Sequence, residues 1–187
     1  MSKSLSSQTG FGFLEVLIAL VVISVGVMSM AGLQVNSSHT NFDALQRNLA
    51  VALAEDMLER MRLNPNVLTR YEEENLGQAS LSKPTLCEGV NTTCSENQMA
   101  AYDLWQWESE LDGIAAQIDG KDVGGLLAPS ACIRTNDEQV QVVVAWRGRT
   151  PVPQNDLDDC GAGLGRYGTN DDLRRLVVLN SRIHRID

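Results

Sequence analysis

An almost uncharged apolar stretch near the amino terminus constrains this chain more than any other feature. Residues 11–33 carry a single charge, that of Glu15. A helix of this length spans roughly 34 Å, enough for the hydrocarbon core of a bilayer, which is ~30 Å thick. β-branched residues are frequent in the stretch, but lipid offers the backbone no hydrogen-bonding partner other than itself. The sequence therefore predicts a membrane-spanning helix.

The helix is predicted to continue beyond the apolar stretch, through an amphipathic half at residues 34–64. The first proline is Pro65, and apolar residues recur at steps of three or four through this half, as on one face of an amphipathic helix. The members of this stripe are Phe42, Leu45, Leu49, Leu53, Met57, Leu58 and Met61. Asn64 is expected to end the helix, because a residue before proline avoids helical φ/ψ values.

A cleaved secretory signal is the first alternative for the amino-terminal segment. Such a signal needs a basic start, a shorter apolar stretch and a small-x-small cleavage site. Residues 29–31 offer a cleavage site, but Lys3 is the one basic residue among the first ten, and Glu15 lies against the apolar stretch. These features favour a retained helix.

The residues around the start of the apolar stretch resemble the amino terminus of type IV pilins. In that family a glycine precedes the first mature residue, a phenylalanine, and a glutamate stands fifth; here Gly10, Phe11 and Glu15 fill these places. The resemblance implies that a prepilin peptidase removes a leader, residues 1–10, and methylates the new Phe11 amine. It also implies that the Glu15 carboxylate pairs with the Phe11 amine of a neighbouring subunit. A tolerated interfacial glutamate is the alternative, but it leaves Gly10 and Phe11 unexplained.

The amphipathic half is similar to a narrower group, the PilV-type minor pilins. These have an alanine-rich helix that ends in an Arg-Met-Arg-x-Asn-Pro pattern, and residues 44–66 of this chain follow it. The matching residues are Arg60, Met61, Arg62, Asn64 and Pro65. A weaker similarity continues through most of the chain. At Gly32 the sequence departs from many major pilins, which often have proline there, and this favours a minor subunit.

Downstream of the long helix the sequence predicts one globular domain, residues 65–187, of the α+β class. Residues 63–102 are rich in Asn, Ser, Thr and Glu and are interpreted as an extended loop region that includes the acidic run 72–74. Asp103 is expected to cap a second helix, and Gly120 to end it. The apolar face of that helix comprises Leu104, Trp107, Leu111, Ile114 and Ile118.

The rest of the domain is predicted to contain a β-hairpin, a long loop and a final strand. Residues 131–135 and 138–147 read as a hairpin, since Val140, Val142, Val144 and Trp146 alternate on one face. A long loop, residues 148–172, leads to a final strand at 174–186. We expect a small antiparallel sheet packed on the stripe of the long helix, which is also the fold that the pilin resemblance implies.

Four cysteines follow the apolar stretch: Cys87, Cys94, Cys132 and Cys160. None forms a C-x-x-C pair, and an even number downstream of a membrane segment suggests disulfides in an oxidising compartment. Of the three possible pairings we favour Cys87–Cys94, a short local loop, and Cys132–Cys160, which ties the first hairpin strand to the long loop. Buried free thiols are the alternative.

The sequence predicts neither catalysis nor a bound cofactor or metal. It contains no serine-hydrolase elbow, P-loop, HExxH or dinucleotide-binding fingerprint. A formal net charge of −9 argues against a nucleic-acid partner. The acidic cluster in the long loop lacks the EF-hand spacing, so a solvated loop is favoured over a calcium site. Its members are Asp156, Asp158, Asp159, Asp171 and Asp172.

The resemblance implies a minor pilin of a type IV pilus. Such a subunit waits in the bacterial inner membrane with its carboxy-terminal domain in the periplasm, and then enters a fibre at the cell surface. Its implied partners are the major pilin, other minor pilins of a tip or priming complex, and an inner-membrane assembly platform, and its implied effects are on adhesion and twitching motility. A minor pseudopilin of a type II secretion system is the alternative. A single-pass membrane protein with a periplasmic binding domain is a third class.

Overall fold

The computed structural model describes residues 12–89, 92–114, 117–122, 124–153 and 158–185. The chain divides between Phe42 and Asp43 into two compact units. A single long helix, α1 (Phe13–Leu63, 51 residues), contributes to both units. It ends at the predicted place, because Pro65 follows Asn64 and opens a 3₁₀ helix, Pro65–Tyr71.

The second unit is an α+β domain built on one antiparallel sheet. Its strands are β1 (Glu73–Leu76), β4 (Ser130–Asn136), β5 (Gln139–Arg147) and β6 (Arg174–Arg182), in the spatial order β1-β4-β5-β6. A separate two-stranded hairpin comprises β2 (Gln117–Ile118) and β3 (Lys121–Asp122). The predicted fold class, helix packed on a small antiparallel sheet, is confirmed.

The predicted β4–β5 hairpin forms, with its turn one residue later than expected. Asn136 pairs with Gln139, so the turn residues are Asp137 and Glu138. Asp137 has a positive φ of 57°, a conformation that aspartate tolerates better than most residues. The final strand also forms, but it ends at Arg182 rather than at residue 186.

The second helix, α2 (Glu96–Asp112), begins seven residues before the predicted cap at Asp103. Ser95 is the true N-cap: its hydroxyl accepts a hydrogen bond from the Gln98 amide, and the Gln98 side chain accepts one from the Ser95 amide. Gly113 ends the helix in the left-handed conformation. The expected continuation through Ile114 and Ile118 was therefore wrong.

The acidic run at residues 72–74 is not the solvated loop that was expected. Glu73 and Glu74 open the edge strand β1, in which Glu73 pairs with Ile133 and Leu76 with Ala131 of β4. Acidic residues have low β-propensity, but pairing with an established strand overrides that preference.

The main core lies between α1, α2 and one face of the sheet. From α1 it takes Met57 and Met61, both fully buried, and from α2 it takes Trp107. The Trp107 indole nitrogen donates to the Leu53 carbonyl at 2.8 Å, which satisfies its polar atom inside the core. Val140, Val142, Val144 and Trp146 face this core from β5, as the alternation predicted.

Leu45 departs from the predicted stripe, because its side chain is 64% exposed. Its neighbour Gln46 is buried instead, and the Gln46 side chain accepts from the Leu127 amide at 2.8 Å and donates to the Gly125 carbonyl at 3.3 Å. Around Gln46, α1 therefore contacts the backbone of a loop and not an apolar surface. The amide and carbonyl groups of that backbone need hydrogen-bond partners.

Glu108 of α2 holds the loop that follows β1. Its side chain is buried and accepts hydrogen bonds from the amides of Gly77, Ser80 and Leu81 at 2.8–3.0 Å, and from the Ser80 hydroxyl. Burial acts to raise the pKa of Glu108, but these hydrogen bonds outweigh it, and the pKa is lowered. Asp112, one turn later, accepts from the amides of Gln78 and Ala79 at 2.7 Å.

This arrangement makes the stability of the domain depend on pH through Glu108. Because the pKa is lower in the folded chain than in the unfolded one, the stabilisation is complete above the unfolded pKa and is lost as pH falls through the folded pKa. We expect Glu108→Gln to lower the free energy of unfolding by about 1–3 kcal/mol at neutral pH, and by less as pH approaches 3. Urea denaturation of the full chain in detergent micelles, followed by tryptophan fluorescence, measures this. Glu55→Gln, on an exposed face of α1, is the control, and an effect of Glu108→Gln that stays constant across pH would contradict the assignment.

Candidate functional site

The first part of α1 presents an apolar surface with nothing of this chain packed on it in the described residues. Phe13–Met30 has a mean hydropathy of 2.5, and none of it is buried. The exposed fraction of its side chains reaches 82% at Phe13 and 77% at Met28. By length and composition this segment suffices to cross a membrane. Exposure of so much apolar surface to water is costly, so the segment needs an apolar environment.

Both serines within this segment direct their hydroxyls at the helix itself. The Ser24 hydroxyl donates to the Leu20 carbonyl at 2.7 Å, and the Ser29 hydroxyl donates to the Val25 carbonyl at 3.0 Å. A hydroxyl that bonds its own helix in this way presents little unsatisfied polarity to its surroundings. These serines therefore fit an apolar environment as well.

Glu15 is the one acidic residue of this segment, and it lies in the first turn of α1. Its backbone amide donates to the Gly12 carbonyl at 3.0 Å, while its side chain is exposed and takes part in none of the ion pairs among the described residues. A carboxylate is favoured at a helix amino terminus by the partial positive charge of the free amides. The predicted processing residues Gly10 and Phe11 lie outside the described residues.

The Arg-Met-Arg-x-Asn-Pro pattern at the end of α1 forms a polar clasp, which we define as Arg60, Asn64, Tyr71 and Asp103. The Arg60 guanidinium donates to Asp56 at 2.7 Å, to Gln106 at 2.8 Å and to Glu110 at 3.0 Å. It also lies 3.7 Å from Asp103. One arginine thus joins α1 to the inner face of α2.

Tyr71 and Asn64 complete the clasp. The Tyr71 hydroxyl donates to Asp103 at 2.6 Å, and the Asn64 amide nitrogen donates to the Tyr71 hydroxyl at 3.1 Å and to the Glu96 carbonyl at 2.8 Å. Burial raises the pKa of Tyr71, and the hydrogen bond to Asp103 adds to this shift. Burial also raises the pKa of Asp103, against the opposing effects of Tyr71 and Arg60. The tyrosine is therefore a neutral donor at neutral pH.

A second polar cluster lies around Arg134 of β4. Its guanidinium is bidentate to Glu74, at 2.7 and 3.2 Å, and also contacts Asp158 at 2.7 Å and Asp159 at 2.8 Å. These contacts raise the pKa of Arg134. Burial acts to raise the pKa of Asp158, but Arg134 and the Cys160 amide more than compensate and lower it. Two members of the predicted acidic cluster thus serve as partners of an arginine, and Asp156 lies outside the described residues.

The structure joins the cysteines in two disulfides, Cys87–Cys94 and Cys132–Cys160. The first closes a loop between β1 and α2. The second is buried with Val143 on the outer face of the sheet, where it connects β4 to the long loop. Bridges of this kind commonly stabilise a domain by about 2–4 kcal/mol.

The loop that carries the first disulfide lies on the outer side of α2. The Tyr102 hydroxyl donates to the Glu88 carboxylate, which raises the pKa of Tyr102 to about 12. The Lys83 ammonium lies 5.4 Å from the centre of the Trp105 ring, a cation–π contact. Trp105 is thus half-buried beneath a loop lysine, whereas Trp107 is a core residue, as predicted.

Comparison with protein families finds a match in the region that contains the clasp and the first disulfide. The family model Tt1218-like, described as type IV pilin Tt1218, matches residues 32–105. The match covers the amphipathic part of α1, the clasp, the first disulfide and half of α2. Searches of curated proteins and of solved structures found no match.

A long helix with an apolar first part, followed by an α+β domain with a four-stranded antiparallel sheet, is the architecture of a pilin. The family match over residues 32–105 supports a type IV pilin-like family for this chain. Pilins are structural proteins, and the apolar segment of this chain fits a membrane-anchored pilin.

The two arginines of the Arg-Met-Arg-x-Asn-Pro pattern differ in burial and in their partners, so we expect them to contribute differently to stability. The Arg60 side chain is 17% exposed, whereas the Arg62 side chain is 44% exposed and pairs with the exposed Glu59. We expect Arg60→Met to lower the free energy of unfolding by about 2–4 kcal/mol, because Asp103 then loses its counter-charge. The matched variant Arg62→Met should cost less than about 1 kcal/mol. Urea denaturation of both variants measures the difference, and equal losses would show that the clasp contributes nothing specific.

Proposed function

We propose that this protein is a minor pilin of a type IV pilus, of the PilV type. The observation that carries the proposal is the exposed apolar segment Phe13–Met30 with Glu15 in its first turn, in a chain whose residues 32–105 match a type IV pilin family model. Before assembly the segment spans the bacterial inner membrane and the domain lies in the periplasm. In the fibre the same segment packs among the equivalent helices of other subunits.

Physical chemistry supports an exchange of this kind. The interior of a helical bundle and the acyl chains of lipid are similarly apolar, so moving the segment from one to the other gains or loses little hydrophobic free energy. The direction of this transfer and the register of the packed helices must then come from polar groups. Glu15 supplies one, because a carboxylate in an apolar surrounding is costly until a cation joins it. Cleavage after Gly10 would create that cation as the Phe11 amine of a neighbouring subunit.

Two further features favour a periplasmic minor subunit. Two disulfides require an oxidising compartment, which the periplasm provides. The Arg-Met-Arg-x-Asn-Pro pattern, which supplies Arg60 and Asn64 of the clasp, resembles the pattern at the end of this helix in PilV-type minor pilins. On this proposal the protein joins other minor pilins in a tip or priming complex, meets the major pilin and the assembly platform, and influences adhesion and twitching motility without catalysing a reaction.

The proposal is tested first at the amino terminus. Mass spectrometry of the mature protein from its own host should find a chain that begins at Phe11 and carries one methyl group. Glu15→Ala should lower the amount of this subunit in sheared fibres at least tenfold, since the charge pair is worth more than ~1.4 kcal/mol in an apolar surrounding. Glu15→Asp, which keeps the charge, is the matched control. A chain that retains residues 1–10 and a Glu15→Ala variant that enters fibres normally would together overturn the proposal.

A minor pseudopilin of a type II secretion system shares this amino terminus, so a separate experiment distinguishes the two. Deletion of the gene should remove surface pili and leave exoprotein secretion unchanged. Loss of secretion with normal pili would favour the pseudopilin.

A further inference from the structure

The outer edge of β6 is a long, regular strand edge. β6 pairs with β5 through nine successive residue pairs, from Arg174 to Arg182, without a bulge. Its sequence contains no proline. Among the described residues, no strand pairs with its other side, since the sheet order ends at β6. Alternate backbone amides and carbonyls of residues 176–182 therefore face outward, and natural proteins usually protect such an edge.

The loop at residues 148–153 covers only the beginning of this edge. The Arg175 guanidinium donates to the Thr150 carbonyl of this loop. Farther along, Val178 is 40% exposed and Asn180 and Arg182 are also exposed. As far as the described residues show, the accessible part of the edge is thus residues 176–182.

A groove of about 480 Å³ runs beside this part of the edge, with α1 as its opposite wall. Its helix wall includes Ala52, Glu55, Asp56, Glu59 and Arg62 of α1, and its other wall includes residues 179–181 of β6. The small side chain of Ala52 leaves space in the groove, beside α1, for the backbone of an added strand. At one end the Arg62 guanidinium donates to the Ser181 hydroxyl at 3.0 Å and joins the two walls.

The helix wall of the groove carries an excess of negative charge. Asp56 pairs with Arg60 and Glu59 pairs with Arg62. Glu55 is exposed and forms no ion pair with a described residue. A strand that adds to β6 places every second side chain toward this wall, so a lysine or arginine at those positions finds a carboxylate.

We propose that the β6 edge accepts an extended strand from a different protein subunit, with lysine or arginine on the side that faces α1. Backbone hydrogen bonds to residues 176–182 supply the affinity, and Glu55 selects the charge of the strand. That this subunit belongs to the same fibre rests on the proposed function. The binding mode itself does not.

Pairing of β6 with β6 of a second copy is disfavoured by charge. An antiparallel pair of two β6 edges has a two-fold axis perpendicular to the sheet, which keeps both α1 helices on one face of the joined sheet, where their acidic walls approach each other. The edge therefore suits a foreign strand better than its own copy.

Two synthetic peptides test the proposal on the full chain in zwitterionic detergent micelles. Both have ten residues with valine and threonine at alternate positions; one has lysine between them and the other has glutamate. Hydrogen exchange at single-residue resolution is the main measurement. The lysine peptide should slow exchange at alternate amides of residues 176–182, and the glutamate peptide should not.

Two variants test the role of the helix wall. Glu55→Gln should weaken binding of the lysine peptide about two- to fivefold, as expected for one exposed ion pair. Asp119→Asn, an exposed acid in the turn between β2 and β3, should leave it unchanged. Binding without alternate-amide protection would overturn strand addition, and equal protection by both peptides would overturn the role of Glu55. Neither outcome depends on whether the leader is cleaved, so this experiment and the test of the pilin proposal are independent.

Discussion

The burial of one face of α1 against the sheet is the interaction on which the rest of the domain depends. Ala50, Ala54, Met57 and Met61 of this face are fully buried. The alanines let neighbouring chain approach the helix closely, and the flexible methionines fill irregular space between helix and strands. α2 then closes the core from the side, where the Trp107 indole binds the Leu53 carbonyl. Without this face neither the sheet nor α2 has a surface on which to bury its apolar residues.

Acidic side chains take a structural role around this core, in a chain whose formal net charge is −9. Asp103 accepts a hydrogen bond from the Tyr71 hydroxyl and faces Arg60, and Glu108 accepts hydrogen bonds from the amides of a loop. Glu74 binds Arg134. Each carboxylate connects segments that are distant in sequence, so the negative charges are compensated where they are partly buried.

The parts of this structure that the sequence revealed are those governed by local rules. The end of α1 follows from Pro65, and the inward face of β5 follows from the alternation of its valines. The start of α2 was missed because its first turn is polar and exposed, so its capping pair, Ser95 and Gln98, looked like loop sequence. Ile114 and Ile118 continued the apolar period by chance, although Gly113 had already ended the helix.

Long-range pairing accounts for the remaining differences. β1 was hidden because Glu73 and Glu74 are strand residues only by virtue of β4 and Arg134, 60 residues away from Glu74. One partner of the clasp residue Arg60 follows from a local rule: Asp56 stands four residues before it on the same helix, a recognised pairing distance. Nothing local, however, connects Arg60 with Asp103. Gly10 and Phe11 rest on resemblance alone, since they lie outside the described residues.

The buried Cys132–Cys160 bridge has a consequence for a damaged molecule. Residues 148–153 of the long loop lie between the two bonded cysteines in sequence, so a peptide bond cut by a protease within them leaves both fragments covalently joined. β6 would then keep its nine-pair register with β5 through the main core and the bridge together. The domain would thus keep its fold after the continuity of that loop is lost.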